Sequence, residues 1–358
     1  MSLVKLDIYH VRNIQKASIQ PCPAINLIVG DNASGKSSLL EAIYILGRAK
    51  SFRSATIKSV ISLNQEHLVV SAQLEHVDTG ISHLGIQLDG KTMAIRINQE
   101  SKQQRSELAY ALPLQLIHPK SYELLDSGAQ SRREFLDWGI FNDDKQFLPV
   151  WRRFKKALAQ RNALLKTKQL EQLPVWNKEL VYYGTIVHDY RVRYIEKLRS
   201  VFVDISQDFL AIKNIAVHLL SGWDVSKTLS DALDQDFDKD LRYGFTHSGP
   251  HRGDFQVFVN QRLAKDFVSR GQLKLLVLSL KLGQVQLLAD EQNHLGCVLI
   301  DDFSAELDAN NRSKLLSFLA SLNCQVFITA NAQTDFGDLS KISIYKMFHV
   351  EQGTIKPM

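Results

Sequence analysis

The chain has 358 residues, 45% of them hydrophobic and 23% charged, with a mean hydropathy of −0.14 and a net charge of +5. This is globular composition, sufficient for two or three domains or one elaborated one, and too apolar for a disordered chain. No apolar run nears the roughly 20 residues of a membrane span, the start (Met1-Ser2-Leu3-Val4-Lys5-Leu6-Asp7) lacks the apolar region of an export signal, and Cys22, Cys297 and Cys324 have neither disulfide nor zinc spacing. A reduced, cytoplasmic setting is expected, and the mild basicity permits an anionic partner.

Alternating apolar residues predict strands over 3–9 and 14–19, and a short apolar run predicts a buried strand over 25–29, ended by Gly30. Leu39, Leu40, Ile43 and Leu46 give residues 37–46 helical spacing. Further strands are expected over 68–74, 81–88 and 93–97, with turn signals at 78–80 and 89–90, as in an antiparallel layer. Residues 114–117 form another strand candidate, stopped by Pro119. From 131 to about 220 the chain is rich in helix formers, with Pro149, Pro174 and Gly184 as punctuation. Within it, 151–170 sets Trp151, Phe154, Leu158, Leu164 and Leu165 beside seven basic residues and no acid. It reads as a helical arm or lid without the sustained heptads of a long coiled coil. An acidic stretch follows, with Asp231, Asp234, Asp236, Asp238 and Asp240. Strand 255–259, helix 269–289, strand 297–300, helix 310–322 and a parallel-type strand 324–329 complete the pattern.

Gly30-Asp31-Asn32-Ala33-Ser34-Gly35-Lys36-Ser37 fits G-x-x-x-x-G-K-[ST], after an apolar strand and opening a helix. Such a loop turns backbone N–H groups and a helix start toward phosphate, and its glycines allow close approach. Lys36 then neutralises the β- and γ-phosphates, and Ser37 places a hydroxyl on Mg²⁺. The run Cys297-Val298-Leu299-Ile300-Asp301-Asp302 is an apolar strand ending in two acids. Asp301 can hold Mg²⁺ beside Ser37, and Asp302 can orient or deprotonate an attacking water. Val268-Ser269-Arg270-Gly271-Gln272 opens a long helix. Ser269 reads there either as an ordinary N-cap or as a hydroxyl offered to a phosphate. Since neither strand-rich end holds a complete nucleotide site, residues 1–130 and 246–358 are expected to fold together around a helical insertion, 131–245.

These pieces, in this order, resemble the ABC-type ATPases of the SMC branch and, within it, the RecF family of recombination mediators. The resemblance is carried by Arg12-Asn13, Gly47-Arg48-Ala49-Lys50-Ser51-Phe52-Arg53 and Arg132-Arg133-Glu134-Phe135-Leu136-Asp137-Trp138. It continues through Ser248-Gly249-Pro250-His251-Arg252-Gly253-Asp254, Ser269-Arg270-Gly271-Gln272-Leu273-Lys274 and Ile300-Asp301-Asp302-Phe303-Ser304-Ala305-Glu306-Leu307-Asp308. It covers almost the whole chain. It implies an α/β fold, the ABC-type ATPase head with a mixed sheet bearing the phosphate loop, an antiparallel β layer and an inserted short helical arm.

By the same resemblance, residues 30–38 (Ser38 included) and Arg12 bind ATP, Ser37 and Asp301 bind Mg²⁺, and Lys36 and Asp302 serve hydrolysis. Ser269, Gly271 and Gln272 meet the γ-phosphate held by a second copy, and Asp308 lies in the loop coupling the two sites. Asp302 stands where most relatives have Glu, one methylene longer, which fits a slow ATPase. Where transporters of this class carry a switch histidine this chain has Ala330 and Asn331, and Gln115 is the only candidate for a glutamine loop. The implied activity is ATP-driven dimerisation on single-stranded or gapped DNA in recombinational repair, replication restart and the SOS response, with RecO and RecR as partners. The alternative class is an energy-transducing subunit of a transporter or motor, disfavoured by the missing histidine and by Asp302.

The basic run Arg152, Arg153, Lys155, Lys156, Arg161, Lys166 and Lys168 reads by itself as a solvated helix face. The resemblance makes it a candidate for DNA backbone contact, with Arg152, Arg153, Lys155 and Lys156 foremost. Arg132 and Arg133 either join that surface or pair with acids. His247, His251 and Asp254 are expected to form a structural turn, because Gly249-Pro250 breaks any helical metal-ligand spacing.

Overall fold

The structure, a computed structural model, describes residues 1–76, 80–210, 212–292, 296–303, 307–322, 324–340 and 342–358. It divides into two compact units, Met1–Ser121 with Leu288–Met358, and Tyr122–Leu287.

In the first unit, β1 (Ser2–Val11) and β2 (Ile14–Ile19) form a hairpin turned by Arg12-Asn13, and β3 (Ile25–Val29) is buried along its whole length. Helix α1 (Lys36–Arg48) follows, then β4 (Leu68–His76), β5 (Gly80–Leu88), β6 (Met93–Ile97), β7 (Glu100–Lys102), α2 (Arg105–Ala111) and β8 (Leu114–Ile117). Strands β1, β2 and β4 to β7 make one antiparallel sheet in the order β2-β1-β4-β5-β6-β7. The turn at 78–80 falls mostly on residues outside the described ones. Helix α1 packs on β1, β4 and β5 of this sheet and on β8 of another. Lying between two layers, it buries nearly its whole circumference, Ala42 and Ile45 as well as the expected stripe of Leu39, Leu40, Ile43 and Leu46.

The second unit opens with α3 (Glu123–Asp126), α4 (Ala129–Asp143), α5 (Phe147–Thr167) and α6 (Leu173–Leu210). Helices α5 and α6 pack side by side, and α6, at roughly 1.5 Å per residue, is about 57 Å long. After it the helical expectation fails. Residues Ile215–Leu220 are a strand, β9, because Ile215 and Val217 alternate inward against a partner that only the fold supplies. The acidic stretch folds as two short helices, α7 (Leu229–Gln235) and α8 (Phe237–Tyr243). Strands β10 (Asp254–Val259) and β11 (Arg262–Leu263) complete the sheet β11-β10-β9, and α9 (Ala264–Phe267) and α10 (Arg270–Gln292) follow. This small sheet packs on α4 and α6, so the compact unit extends to Leu287, whereas the change of sequence texture falls near 245.

The chain returns to the first unit with β12 (Cys297–Ile300), α11 (Ala309–Ser321), β13 (Gln325–Ala330), β14 (Tyr345–Glu351) and β15 (Thr354–Pro357). They join β3 and β8 in a second sheet, β15-β14-β3-β13-β12-β8, parallel except for β15. No helix among the described residues is long and apolar enough to cross a membrane. The three thiols are free, and burial pushes Cys324 up to about 12, which leaves it unreactive.

A buried polar knot holds the second unit. Arg161 is fully buried, unlike the rest of its basic run, and its Nη1 donates to Asp240 Oδ2 at 2.6 Å and Thr246 Oγ1 at 2.8 Å. Asp240, also fully buried, accepts from the His247 backbone N at 2.9 Å. Removing one partner of such a pair strands the other charge in apolar surroundings. Asp240→Asn is expected to cost about 3–5 kcal/mol in denaturant unfolding, and replacing Arg161 and Asp240 together by Leu to cost less than the sum of the single changes.

Candidate functional site

The parallel ladder puts the ends of three strands at one edge. Ile300 pairs with Ile328, which pairs with Leu27, so Asp301, Thr329 and the loop after Val29 emerge side by side. Between Val29 and α1 runs the loop 30–35. Its backbone is held from outside: Asn13 Nδ2 donates to the Ser34 carbonyl at 2.9 Å, and the Gly353 N–H donates to the same oxygen at 2.7 Å. Asn13 Oδ1 in turn accepts from Ser38 Oγ at 3.0 Å. Gly35 adopts φ 123°, a conformation strained for any side chain, and a Cβ there would press on the Asn13 amide at 3.1 Å. At Gly30 a Cβ would collide with the Val350 carbonyl. The loop therefore delivers α1 with its first turn uncapped by any side chain and without an acid in it. Such a helix start attracts anions.

Lys36 is buried, and its three ammonium hydrogens are all engaged. Nζ donates to the Gly30 carbonyl at 2.6 Å, the Asp31 carbonyl at 2.8 Å and Asn331 Oδ1 at 3.2 Å. Burial lowers its pKa, while attraction to Asp302, Asp301 and Asp31 opposes the shift. Among the described residues, Asn331, just after β13, is thus the side chain that accepts from this cation.

Asp301 Oδ1 accepts from two hydroxyls, Ser37 Oγ at 2.9 Å and Thr329 Oγ1 at 2.9 Å. Burial pushes the Asp301 carboxyl up, and these hydrogen bonds and the charge of Arg53 pull it back down. Thr329 also accepts from the Asp302 backbone N at 2.8 Å, fixing Asp302 in the left-handed region at φ 56°. Buried ammonium, uncapped helix start, hydroxyl and adjacent carboxylates together make a donor set that fits a nucleotide phosphate with a hard divalent cation. Ser34 Oγ, buried without a partner in this cradle, is consistent with that fit.

Glu41, one turn into α1 and fully buried, is a residue that sequence reasoning passed over. Its carboxylate accepts from Arg12 Nε at 2.8 Å and Nη2 at 2.9 Å, and from Ser51 Oγ. Arg12 Nη1 donates to the Ser59 carbonyl at 2.7 Å. Arg12 therefore ties the β1–β2 turn to α1 and to the segment after it, and Arg53 Nη1 lies 3.9 Å from the same carboxylate. Thr329 and Asn13 were equally unassigned. The only available signal was the motif Arg12-Asn13 itself, whose two side chains divide the work of clamping helix and loop.

The remaining candidates lie elsewhere. Asp308 caps α11, accepting from the Asn311 N–H at 2.8 Å, while Ser304, Ala305 and Glu306 are outside the described residues. Gln115 is buried within β8 rather than in a loop. Ser269, Gly271 and Gln272 belong to the second unit, where Ser269 and Gln272 form a reciprocal cap at the start of α10, Oγ accepting at 3.2 Å and the backbone N donating at 3.0 Å. Gly271 is open: a Cβ there would meet nothing closer than 3.9 Å. Arg152, Arg153, Lys155 and Lys156 are exposed on α5. Arg132 pairs with Asp254 at 2.8 and 3.0 Å, and Arg133 donates to the Gly253 carbonyl at 2.8 Å, so this pair joins the loop 248–254 to α4. His247 Nδ1 lies 2.7 Å from Asp240, and burial pushes His251 down to about 4. No cluster of three or more His, Cys, Asp or Glu side chains suited to a metal occurs among the described residues.

Similarity to known proteins agrees with this geometry. The RecF/RecN/SMC N-terminal domain family matches residues 2–356. The chain is 40% identical over 358 residues to the DNA replication and repair protein RecF of Shewanella sp. (strain MR-7), covering 99% of both chains. It is 38% identical over 359 residues to the protein of that name from Vibrio vulnificus (strain CMCP6), again covering 99% of both. The solved structure of the recombination mediator protein RecF with ATP, of the RecFOR pathway, superposes with a TM-score of 0.88 at 26% identity, over 99% of this chain and 97% of that one. The Smc head domain of Pyrococcus furiosus shares the fold, with a TM-score of 0.59 at 16% identity over 100% and 96% of the two chains.

Loss of the Glu41 charge should undo the clamp beside the loop. Glu41→Gln is expected to lower stability by about 3 kcal/mol in chemical denaturation, because the Arg12 guanidinium loses its buried counter-charge. Arg12→Gln combined with Glu41→Gln is expected to lose less than the two single changes summed.

Proposed function

The chain belongs to the RecF family, with the ABC-type ATPase head that RecF and SMC proteins share, and on that footing we propose that it is an ATP-gated DNA-binding protein of replication and recombinational repair. The observation that carries this reading is the convergence on one carboxylate oxygen of Asp301 of a hydroxyl from the phosphate-loop helix and another from the adjacent strand, beside the buried Lys36. No role in core packing calls for a cation, two carboxylates and two hydroxyls at one strand edge.

In this reading residues 30–38 wrap the phosphates of ATP, and Lys36 exchanges Asn331 for a phosphate oxygen. Ser37 and Asp301 would hold Mg²⁺, which would supply charge neutralisation for the phosphates. Asp302 orients the water that attacks the γ-phosphate. Its short side chain suits slow hydrolysis, in keeping with release of a clamp rather than with a motor. Arg12 acts here by positioning, through Glu41.

Ser269, Gly271 and Gln272 of one copy close over the ATP of another, so that nucleotide drives dimerisation. Support comes from Gly271. It stands in the first turn of α10, and neither crowding nor φ within this chain demands a glycine there. A phosphate approaching the backbone does. Asp308 of the α11 cap faces the same task of linking two sites. DNA, single-stranded or gapped, lies along the exposed cations of α5, and RecO and RecR are the expected partners in a cytoplasmic setting.

Sedimentation with and without ATP tests the composite site. Ser269→Arg should retain ATP binding in a nucleotide titration but abolish ATP-induced dimerisation, whereas Lys36→Met should lose both. A Ser269→Arg protein that still dimerises on ATP would leave Ser269 as a helix cap alone.

Neutralising Arg152, Arg153, Lys155 and Lys156 together should weaken binding to every DNA sequence alike and flatten the dependence of affinity on salt. An unchanged salt slope places the DNA surface off α5.

A further inference from the structure

The end of α8 and the loop after it expose two large aromatic rings. Tyr243 is 59% and Phe245 38% exposed, and their centroids are 6.1 Å apart. The His247 ring packs on both, 5.5 Å from Tyr243 and 4.4 Å from Phe245. The Arg252 guanidinium stands 5.1 Å from the centre of the Phe245 ring.

The segment that carries these rings is anchored on both sides of Phe245. Thr246, between Phe245 and His247, is buried, and its backbone N–H and hydroxyl both donate to Asn162 Oδ1, at 2.8 and 2.6 Å. His247 is pinned to the buried Asp240 through both its ring and its backbone N–H. Gly244 lies in the left-handed region at φ 73°, where a Cβ would be in van der Waals contact with Lys166 of α5. The backbone is fixed from below, and the rings are presented outward on a rigid base.

The surroundings are cationic. Residues 166–171 and 237–252 carry five exposed cations, Lys166 and Arg252 among them, against two exposed carboxylates, Asp238 and Glu171. Aromatic rings and Arg are common in the core of a protein–protein interface, but Lys is depleted there, and three of these five cations are Lys. Rings among such cations match what a nucleic-acid strand offers, flat base faces alternating with phosphates.

We propose that Tyr243 and Phe245, backed by Arg252, form a stacking platform for unpaired bases, so that this unit grips single-stranded DNA by its base faces. The inference rests on the DNA-binding reading above and adds a site with its own chemistry: α5 offers charge to any phosphate backbone, whereas this platform accepts only bases free of a duplex. Each base has a π-face, so the grip is indifferent to sequence.

The test uses the full-length protein, a labelled oligothymidine strand and a duplex of equal length, with affinities read by anisotropy. Tyr243→Ala with Phe245→Ala should weaken oligothymidine binding by roughly ten- to a hundredfold, the range for loss of base–aromatic stacking, and leave duplex affinity within about twofold. Leu at both positions, apolar but without a π-face, should fail likewise, and Tyr243→Phe, which keeps the ring, should bind as the parent does. Melting temperatures should stay together, since both rings are exposed. Unchanged oligothymidine affinity in the double alanine variant overturns the platform while the DNA reading stands. Loss of ATP-induced dimerisation with single-strand affinity intact assigns the rings to a second copy and also overturns it. Parent protein that binds neither strand nor duplex removes the DNA reading itself.

Discussion

The ladder of β3, β13 and β12 is the constraint on which the site depends. In a parallel sheet buried on both faces, a slip of one residue would carry every side chain to the wrong layer, so the register is fixed by the core. That register brings Asp301 level with Thr329 and sets both beside the strand that feeds the phosphate loop. The chemistry sits at the carboxyl ends of the strands because there, in an open α/β sheet, loops diverge and leave a crevice. The residues of the site come from opposite ends of the chain, with a whole second unit between β8 and β12. The sheet closes over that interruption.

Around this edge the chain satisfies its buried charges locally. Glu41 holds Arg12, Asp301 takes two hydroxyls, and Lys36 finds two carbonyls and an amide. The second unit does the same. Asp137 accepts from Arg191 at 2.8 and 2.9 Å and from Trp151 Nε1 at 3.1 Å, while Arg191 Nη1 also donates to the Pro250 carbonyl at 2.6 Å. With Arg132 on Asp254, these pairs bind the segments 132–138 and 248–254 to each other. Of the two readings open for Arg132, pairing with an acid is the one its contacts fit, and Arg133 spends a donor on the Gly253 carbonyl. Each buried pair is costly to break and of little net benefit over an apolar contact, so what it confers is geometry.

Three features of the chain bear on what it meets outside itself. Ser34 Oγ is buried without a partner in the phosphate cradle, Gly271 is a glycine that its own surroundings do not require, and Tyr243 and Phe245 are large rings left in water. These three departures from self-sufficiency sit at the places where a nucleotide, a second copy and a nucleic acid are proposed to meet the protein. Departures from local folding rules at such places are expected where binding supplies the missing partner.

Sequence alone determined the elements whose signal is local. The phosphate loop, the strand before it, the acid pair after 297–300 and the long helix after Ser269 all carry their cause within a few residues: a glycine that must bend, an apolar run, a cap. Hence strands 14–19, 25–29, 93–97 and 114–117 appear at the expected positions. Elements whose stability comes from a distant partner were invisible. Strand β9 exists because β10 pairs with it, and β14 with β15 because β3 offers an edge. Arg161 sits in a basic run of α5 yet is fully buried, since Asp240, 79 residues on, lies beside it. Glu41 and Thr329 looked like ordinary helix and strand residues until the fold placed Arg12 against one and Asp301 against the other. Periodicity and turn chemistry act over a few bonds, so sequence reports them directly. Ion pairs, buried hydroxyls and exposed rings depend on which distant segments pack together, and the tertiary structure alone decided those.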